Sequence, residues 1–419
     1  MSQNDKTAQL GSGRSPAFIF IFITVLLDML SIGIIIPVLP KLIQSFVGGE
    51  FNRAALMLGI FMSIWSLMQF IASPVMGALS DHFGRRPVIL MSNFGLGLDY
   101  LIMAMAPALW VLFIGRVLAG IFSATVSTAQ AYIADITIPE KRAGAFGMLG
   151  AAFGLGFVLG PALGGLLGHY HLRLPFYAAA FMSFANFSYG YFILPESLPK
   201  DLRAPFKLKA ANPVTSLRLL GRSSQLTRLG IVSFLLQLSH HVLPACTVLY
   251  MGYRYHWEER EVGLVLAGVG ISAMIVQGGL VRPAVRLIGE KNALALGLVM
   301  GALGFWIYGV APTGGLFLVG IPVMALWGFA QPSANALMTR EVEPDEQGRL
   351  QGANASLMGL SGLAGPYAFA SAFAFGIDPA RALNIPGLPF YGAAILMAMG
   401  VVVAMGVRSS AEGVPVKAA

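Results

Sequence analysis

Three charged residues lie inside long apolar runs: Asp28, Asp99 and Arg116. A charge within a membrane span costs a few kcal/mol, about 2.5–3.5 on insertion scales, so it is kept where something polar must be handled. A carboxyl group held away from water can take up and release a proton near neutral pH, which makes Asp28 the first candidate proton carrier. The plainer alternative is a structural hydrogen bond between spans. Asp99 is near the centre of the third span, where it can brace the helices. Arg116 keeps its proton and needs an acceptor. It can tune a nearby carboxylate, anchor an anionic group or act as an interhelical brace, and direct pairing with Asp28 is one expectation.

A second cluster reads Gly77-Ala-Leu-Ser-Asp81-His-Phe-Gly84-Arg85-Arg86-Pro87. A helix ends, turns within a few residues and restarts. Gly84 suits the turn and Pro87 suits the first turn of the next helix. Asp81 and the arginines can make charge-assisted contacts across a helix junction. Asp135, at the inner end of the fourth span, can pair with Arg85 or Arg86. Together these read as a conformational latch, with a tight charged turn as the plainer alternative.

The elements that must carry these residues follow from composition. The chain has 419 residues, 56% hydrophobic and only 11% charged, against about 25% charged in a soluble domain. Its mean hydropathy is +0.74. Twelve apolar segments are long enough to cross a bilayer: 16–42, 54–78, 87–106, 108–133, 143–168, 175–194, 229–251, 262–281, 292–311, 315–338, 349–375 and 386–407. Continuous runs of this length exclude a barrel of short alternating strands. The first run is too long for a signal-peptide core and reads as a span.

Charge placement gives the orientation. With both termini inside, inner loops and tails hold 20 of the 27 Lys+Arg, among them Lys6, Arg14, Lys141, Arg142, Arg282, Arg286 and Lys291. This is the positive-inside pattern, and it accounts for the net charge of +8 without a nucleic-acid partner. The single cysteine, Cys246, rules out an internal disulfide and a cysteine-rich metal site. No nucleotide loop, metal-ligand spacing or nucleophile motif with its required context marks an enzyme.

A fixed offset of 205 residues aligns Gly84-Arg85-Arg86 with Gly289-Glu290-Lys291, Pro139-Glu140 with Pro344-Asp345, Gly147 with Gly352, and Gly160-Pro161 with Gly365-Pro366. Two parallel halves of six spans follow. The expected division is a tail at 1–15, a six-helix bundle at 16–194, a linker at 195–228, a second bundle at 229–407 and a tail at 408–419. The linker is basic and rich in proline. Anionic lipid explains that charge, with a regulatory site as the alternative, and Pro213–Leu220 can form a short surface helix. In the second half Arg286 stands where the first has Asp81, and Arg282 aligns with Gly77. That copy of the loop therefore reads as degraded.

The loop resembles the signature of the major facilitator superfamily. Gly115-Arg116-Val-Leu-Ala-Gly120 resembles its fourth-span arginine motif. Gly154-Leu-Gly156-Phe-Val-Leu-Gly160-Pro161-Ala-Leu-Gly164-Gly165 resembles its fifth-span antiporter motif. Within the superfamily the chain is most similar to the tetracycline/proton antiporter branch. The supporting segments are Leu27-Asp28 through Ile36-Pro37-Val-Leu-Pro40, Leu98-Asp99-Tyr100, Ala131-Tyr-Ile-Ala-Asp135-Ile-Thr137 and Leu194-Pro-Glu-Ser197.

The resemblance implies an all-α membrane protein of twelve helices in two six-helix pseudo-repeats, around a central cavity that opens alternately to each side, and a role for Asp99 in substrate or proton handling. It implies export of a drug-like solute against inward proton movement, with no cofactor, from a bacterial inner membrane and as a monomer. The partners expected are lipid, the solute and protons. The alternative is a proton symporter or facilitator on the same fold. The branch has a third acidic residue in span nine, whereas Leu294–Tyr308 has none and carries Met300, Gly301 and Gly304 at its centre. The expected solute is therefore a drug or metabolite more general than a cationic metal–tetracycline chelate. Candidate cavity residues are Gln69, Gln130, Gln237, His240, His241, Gln277, Gln331 and Asn335. Adjacent histidines point about 100° apart on a helix, so at most one of the pair faces the cavity.

Overall fold

The computed structural model describes residues 16–123, 125–203, 216–343, 346–381 and 384–408. Lys6, Arg14, Pro205, Lys207, Lys209, Pro213, Pro344 and Asp345 lie outside the described residues, as do both tails apart from Arg408. Of the expected surface helix only its end is described, as a short turn of 3₁₀ helix over Arg218–Gly221.

Among the described residues ten stretches are long and apolar enough to span a bilayer. They are α1 (Phe18–Phe46), α2 (Phe51–Phe83), α3 (Arg85–Met105), α4 (Leu109–Ile136), α5 (Gly144–Tyr170), α7 (Ser224–Tyr255), a 52-residue stretch (Glu259–Val310), α10 (Gly314–Arg340), α11 (Gln347–Gly376) and α12 (Leu388–Met405). The 52-residue stretch breaks at Gly289, whose φ of 77° is not helical. It therefore supplies two spans, α8 (259–288) and α9 (290–310). A further 20-residue helix, α6 (Leu174–Ile193), packs on α1 and α3. Among the described residues this gives twelve spans, the number the apolar segments predict.

The chain forms two compact units. The first holds the described parts of Met1–Leu42, Ile64–Ala211 and Glu259–Ala267, and the second those of Ile43–Ser63, Asn212–Glu258 and Gly268–Ala419.

In the first unit α1 packs most extensively on α5, and the reason is sequence-local. A Cβ added at Gly33 would sit 2.8 Å from Gly156 O and 2.9 Å from the Gly160 Cα. Gly164 faces the backbone of Ile34, and Gly165 faces Glu259 and Gly263. Small residues let two backbones approach closely in lipid, where packing and not water exclusion drives association. Gly156, Gly160, Gly164 and Gly165 of the span-five motif thus build one close helix contact and its flank. Gly154 is half-buried, and Pro161 is buried inside the helix. Pro37 lies in the turn that interrupts α1 between Ile35 and Leu39.

The second unit repeats the device. Pro366 lies inside α11 as Pro161 lies inside α5. A Cβ at Gly365 would stand 2.8 Å from the His241 Cβ of α7. α7 is itself interrupted at His241, 205 residues beyond Ile36 in the turn of α1.

Candidate functional site

Three of the predicted residues meet or flank the buried centre of the first unit. Asp28 on α1 is 2% exposed. Asn186 on α6 donates its amide to Asp28 Oδ1 at 3.1 Å and to Thr24 O at 3.0 Å. One amide therefore fixes the carboxyl group and the backbone one turn before it. Burying a carboxyl requires such partners, because an uncompensated polar group in apolar surroundings costs several kcal/mol. Asn186 was not among the sequence candidates, and a buried asparagine in an aromatic-rich span is the only signal it gives.

Asp99 on α3 is fully buried, and Arg116 Nη2 lies 3.3 Å from its Oδ2. The arginine expected to reach Asp28 is thus paired with Asp99. The motif glycines around it explain the geometry. A Cβ at Gly115 would lie 2.6 Å from Asp99 Oδ1, and one at Gly120 would lie 2.6 Å from Trp65 O of α2. The glycine–arginine–glycine spacing therefore clears space for the acid on one side and for α2 on the other. Asp99 Oδ1 and Arg116 Nε are buried without a hydrogen-bond partner among the described residues. The pair consequently leaves polar capacity for another group.

The loop between α2 and α3 forms a compact ionic knot. Arg85 Nη1 lies 2.5 Å from Asp81 Oδ1 and 3.1 Å from Ser80 Oγ, while its Nε lies 3.1 Å from Asp135 Oδ2. The Arg85 side chain is only 12% exposed. Gly84 turns the chain with φ 109°, which a side chain would strain, and a Cβ there would strike Glu196. Glu196 Oε1 accepts from Arg85 N at 2.9 Å and from Leu198 N at 3.0 Å. Its carboxylate thereby caps the N-terminus of α3, where the free backbone amides and the helix dipole favour an anion. Ser197 Oγ donates to Asp135 Oδ2 at 3.1 Å.

The second arginine plays a different part. Arg86 Nη2 donates to Tyr191 O at 2.5 Å, and its guanidinium sits over the Tyr191 ring at 5.9 Å. Gly77 is half-buried one turn before Asp81, with no atom within 4 Å of where its Cβ would be. Asp81, Gly84, Arg85 and Asp135 are therefore brought together, while Arg86 serves α6. Glu196 and Ser197 belong to the knot too. Their segment resembles the family, yet nothing in its spacing shows that it folds back beneath α3.

The second half keeps the turn and the pair. Gly289 has φ 77° where Gly84 has 109°. Arg340 Nη2 lies 2.5 Å from Glu290 Oε1, at the positions that correspond to Asp135 and Arg85. The copy read as degraded retains an ion pair, with the charges exchanged.

The cavity candidates divide between the units. In the first, Gln69 is half-buried on α2 beside Gly120, and Gln130 is exposed on α4. In the second, most gather at a break in α10, where Leu326–Phe329 tightens to 3₁₀ helix. The His240 ring lies 5.4 Å from that of Trp327, and Trp327 lies 5.7 Å from Phe305. A Cβ at Gly328 would touch Gln277 Cγ at 3.3 Å. Gln331 Nε2 donates to Asn335 Oδ1 at 3.1 Å, and Asn354 reaches the same oxygen at 3.5 Å. His241 points elsewhere, with Nε2 3.4 Å from Ser361 Oγ of α11. His240 is exposed and His241 half-buried. Gln237 is half-buried on α7. Trp327 and Asn354 join this group, and sequence alone does not separate them from the many other apolar and polar residues of their spans.

Such a bundle, with repeated halves and charges buried inside apolar helices, defines a multi-pass membrane transporter. The family model for the Major Facilitator Superfamily matches residues 21–366. The tetracycline resistance protein, class C, of Escherichia coli is 41% identical over 350 residues, covering 84% of this chain and 88% of that one. The class G protein of Vibrio anguillarum is 37% identical, covering 86% and 91%. The crystal structure of the human organic anion transporter TETRAN superposes with a TM-score of 0.70 at 24% identity, covering 93% of this chain and 99% of that one. The chain belongs to the Major Facilitator Superfamily. It is a transporter and not an enzyme.

Proposed function

We propose that the chain is a proton-coupled exporter of a drug-like or amphiphilic solute that works by alternating access. The observation that carries this is the Asp28 carboxyl group, 2% exposed within α1 and held by Asn186. It occurs in a chain 41% identical to a protein named for tetracycline resistance. A buried carboxyl group beside an amide can exist with or without its proton, and the amide still offers a donor to the charged form. In this reading the Asp99–Arg116 pair is the second polar station. Its unfilled hydrogen-bonding atoms support a role in proton or solute handling.

The ionic knot of Asp81, Arg85, Asp135, Glu196 and Ser197 acts as the latch. It joins α2, α3, α4 and the segment after α6, so its release would free several helix ends together. Two six-span bundles, 16–194 and 229–407, an inner-membrane location and inner termini complete the proposal. The repeated turns at Gly84 and Gly289 and the basic inner loops support these points.

Tetracycline is the first solute to test, because the relatives bear its name. The lack of an acidic residue over 294–308 supports a broader solute class. Expression in a susceptible, efflux-deficient bacterium should raise the inhibitory concentration of at least one amphiphilic drug, and Asp28→Asn should remove that protection. Protection unchanged by Asp28→Asn contradicts the proposal.

A further inference from the structure

The exchanged ion pair leaves charge unaccounted for in the second half. In the first half Gly77 is neutral and Asp81 is paired with Arg85. At the corresponding positions α8 carries Arg282 and Arg286. The acid of the second loop, Glu290, is engaged by Arg340. Neither Arg282 nor Arg286 has an acidic partner among the described residues, and both are exposed. They stand four residues apart, so they share one helix face.

That face is hollow. Arg282, Pro283, Arg286 and Leu287 line a surface cavity of about 540 Å³ together with Gly278 and Gly279. Nothing lies within 4 Å of where a Cβ on either glycine would be. The glycines belong to a π-helical turn, Val276–Leu280. Such turns are uncommon and often mark functional positions. Next to the arginines, Leu287 is 84% exposed, Leu280 is 43% and Ile288 is 38%. Two guanidinium groups, a glycine-floored hollow and flanking bare aliphatic side chains occur at the end of a membrane span.

We propose that this cavity binds the phosphate headgroup of an anionic phospholipid. Arg282 and Arg286 hold the phosphate oxygens, since the planar guanidinium matches phosphate geometry. The open glycine surface admits the headgroup, while Leu280 and Leu287 lie against its acyl chains. The first-half loop lacks this chemistry, because Asp81 there would repel the phosphate. The site is therefore expected in one half only. The proposal rests on the chain being membrane-embedded and is independent of proton coupling and of the exported solute.

The test is native mass spectrometry of the purified full-length chain with phosphatidylglycerol, phosphatidylcholine or inorganic phosphate added singly. Phosphatidylglycerol adducts should survive activation in the native protein and fall roughly tenfold or more in Arg282→Gln/Arg286→Gln, each basic residue contributing about fivefold. Arg282→Lys/Arg286→Lys, which keeps the charge and loses the guanidinium geometry, should fall between the native and Gln proteins, which separates lost charge from lost folding. Phosphatidylcholine adducts should be equal in all three proteins. Equal phosphatidylglycerol adducts in the native and Gln proteins would overturn the site. Displacement of phosphatidylglycerol by millimolar inorganic phosphate would overturn the lipid as its occupant and assign the arginines to a free anion.

Discussion

Arg340 donates to Glu290 at 2.5 Å, and Arg85 faces Asp135 at 3.1 Å, with the acid and base exchanged between corresponding positions of the two halves. The surrounding backbone bonds repeat as well. Arg142 donates to the carbonyls of Ala134 and Thr137, and Gln347 donates to those of Thr339 and Val342, each 205 residues later. Coulomb attraction does not depend on which partner is positive. The fold asks for opposite charges at these two places, in either order.

Reversing one member of a pair should therefore do more damage than reversing both. In an Asp81→Asn background, where no second carboxylate faces position 85, Arg85→Asp is expected to cut drug export to a small fraction of the background level, and Arg85→Asp/Asp135→Arg to recover part of it, the difference measuring coupling. The second-half pair should matter less to stability, because Arg340 is 57% exposed and exposed pairs contribute about 0–1 kcal/mol. Thermal unfolding of Glu290→Gln in detergent should lie close to the native curve. Equal damage from single and double reversals at 85 and 135 would refute the pairing as the functional element.

Asp99 and Arg116 should behave as a buried pair. Removing one partner of such a pair costs about 3–5 kcal/mol, because the other charge is left stranded. Asp99→Asn and Arg116→Gln should each lower the unfolding temperature clearly. The double variant should lie above either single one, although its transport stays low. A double variant with the summed loss of both would show that the two side chains do not interact.

Asn186 should tune Asp28. Asn186→Leu removes a hydrogen bond to a charged group, worth about 1.5–3 kcal/mol, and exchanges an amide for an apolar side chain of similar size. Export should fall by roughly tenfold or more on that basis, and the pH dependence of transport should move. A merely structural asparagine would change protein yield and leave the pH profile in place.

The α1–α5 contact should tolerate no added bulk. Gly164→Val places two methyl groups against the Ile34 backbone, and overpacking costs about 1–3 kcal/mol. Gly144→Val on the same span meets open space and should leave stability unchanged. Equal unfolding temperatures for the two variants would remove the close contact from the account.

Much of this was legible because lipid makes the sequence speak in long apolar runs. Twelve spans, the repeat and the stranded charges followed from hydropathy and register alone. The turn at Gly84 was legible because few other residues suit its φ. Partner choice was not. Arg116 meets Asp99 and not Asp28, a matter of which helix faces which, with Gly115 leaving room for the acid. Glu196 was hidden because it lies 111 residues from the amide it caps. By residue type the second-half loop reads as degraded, whereas the pair survives by complementarity.

The most direct test is proton movement in inside-out vesicles energised to an acidic interior, on adding a panel of amphiphilic drugs that includes tetracycline. Drug-dependent dissipation of the pH gradient is expected in the native protein and none in Asp28→Asn. Equal dissipation in both proteins would remove Asp28 as the proton carrier, and drug accumulation without any proton movement would contradict proton-coupled export itself.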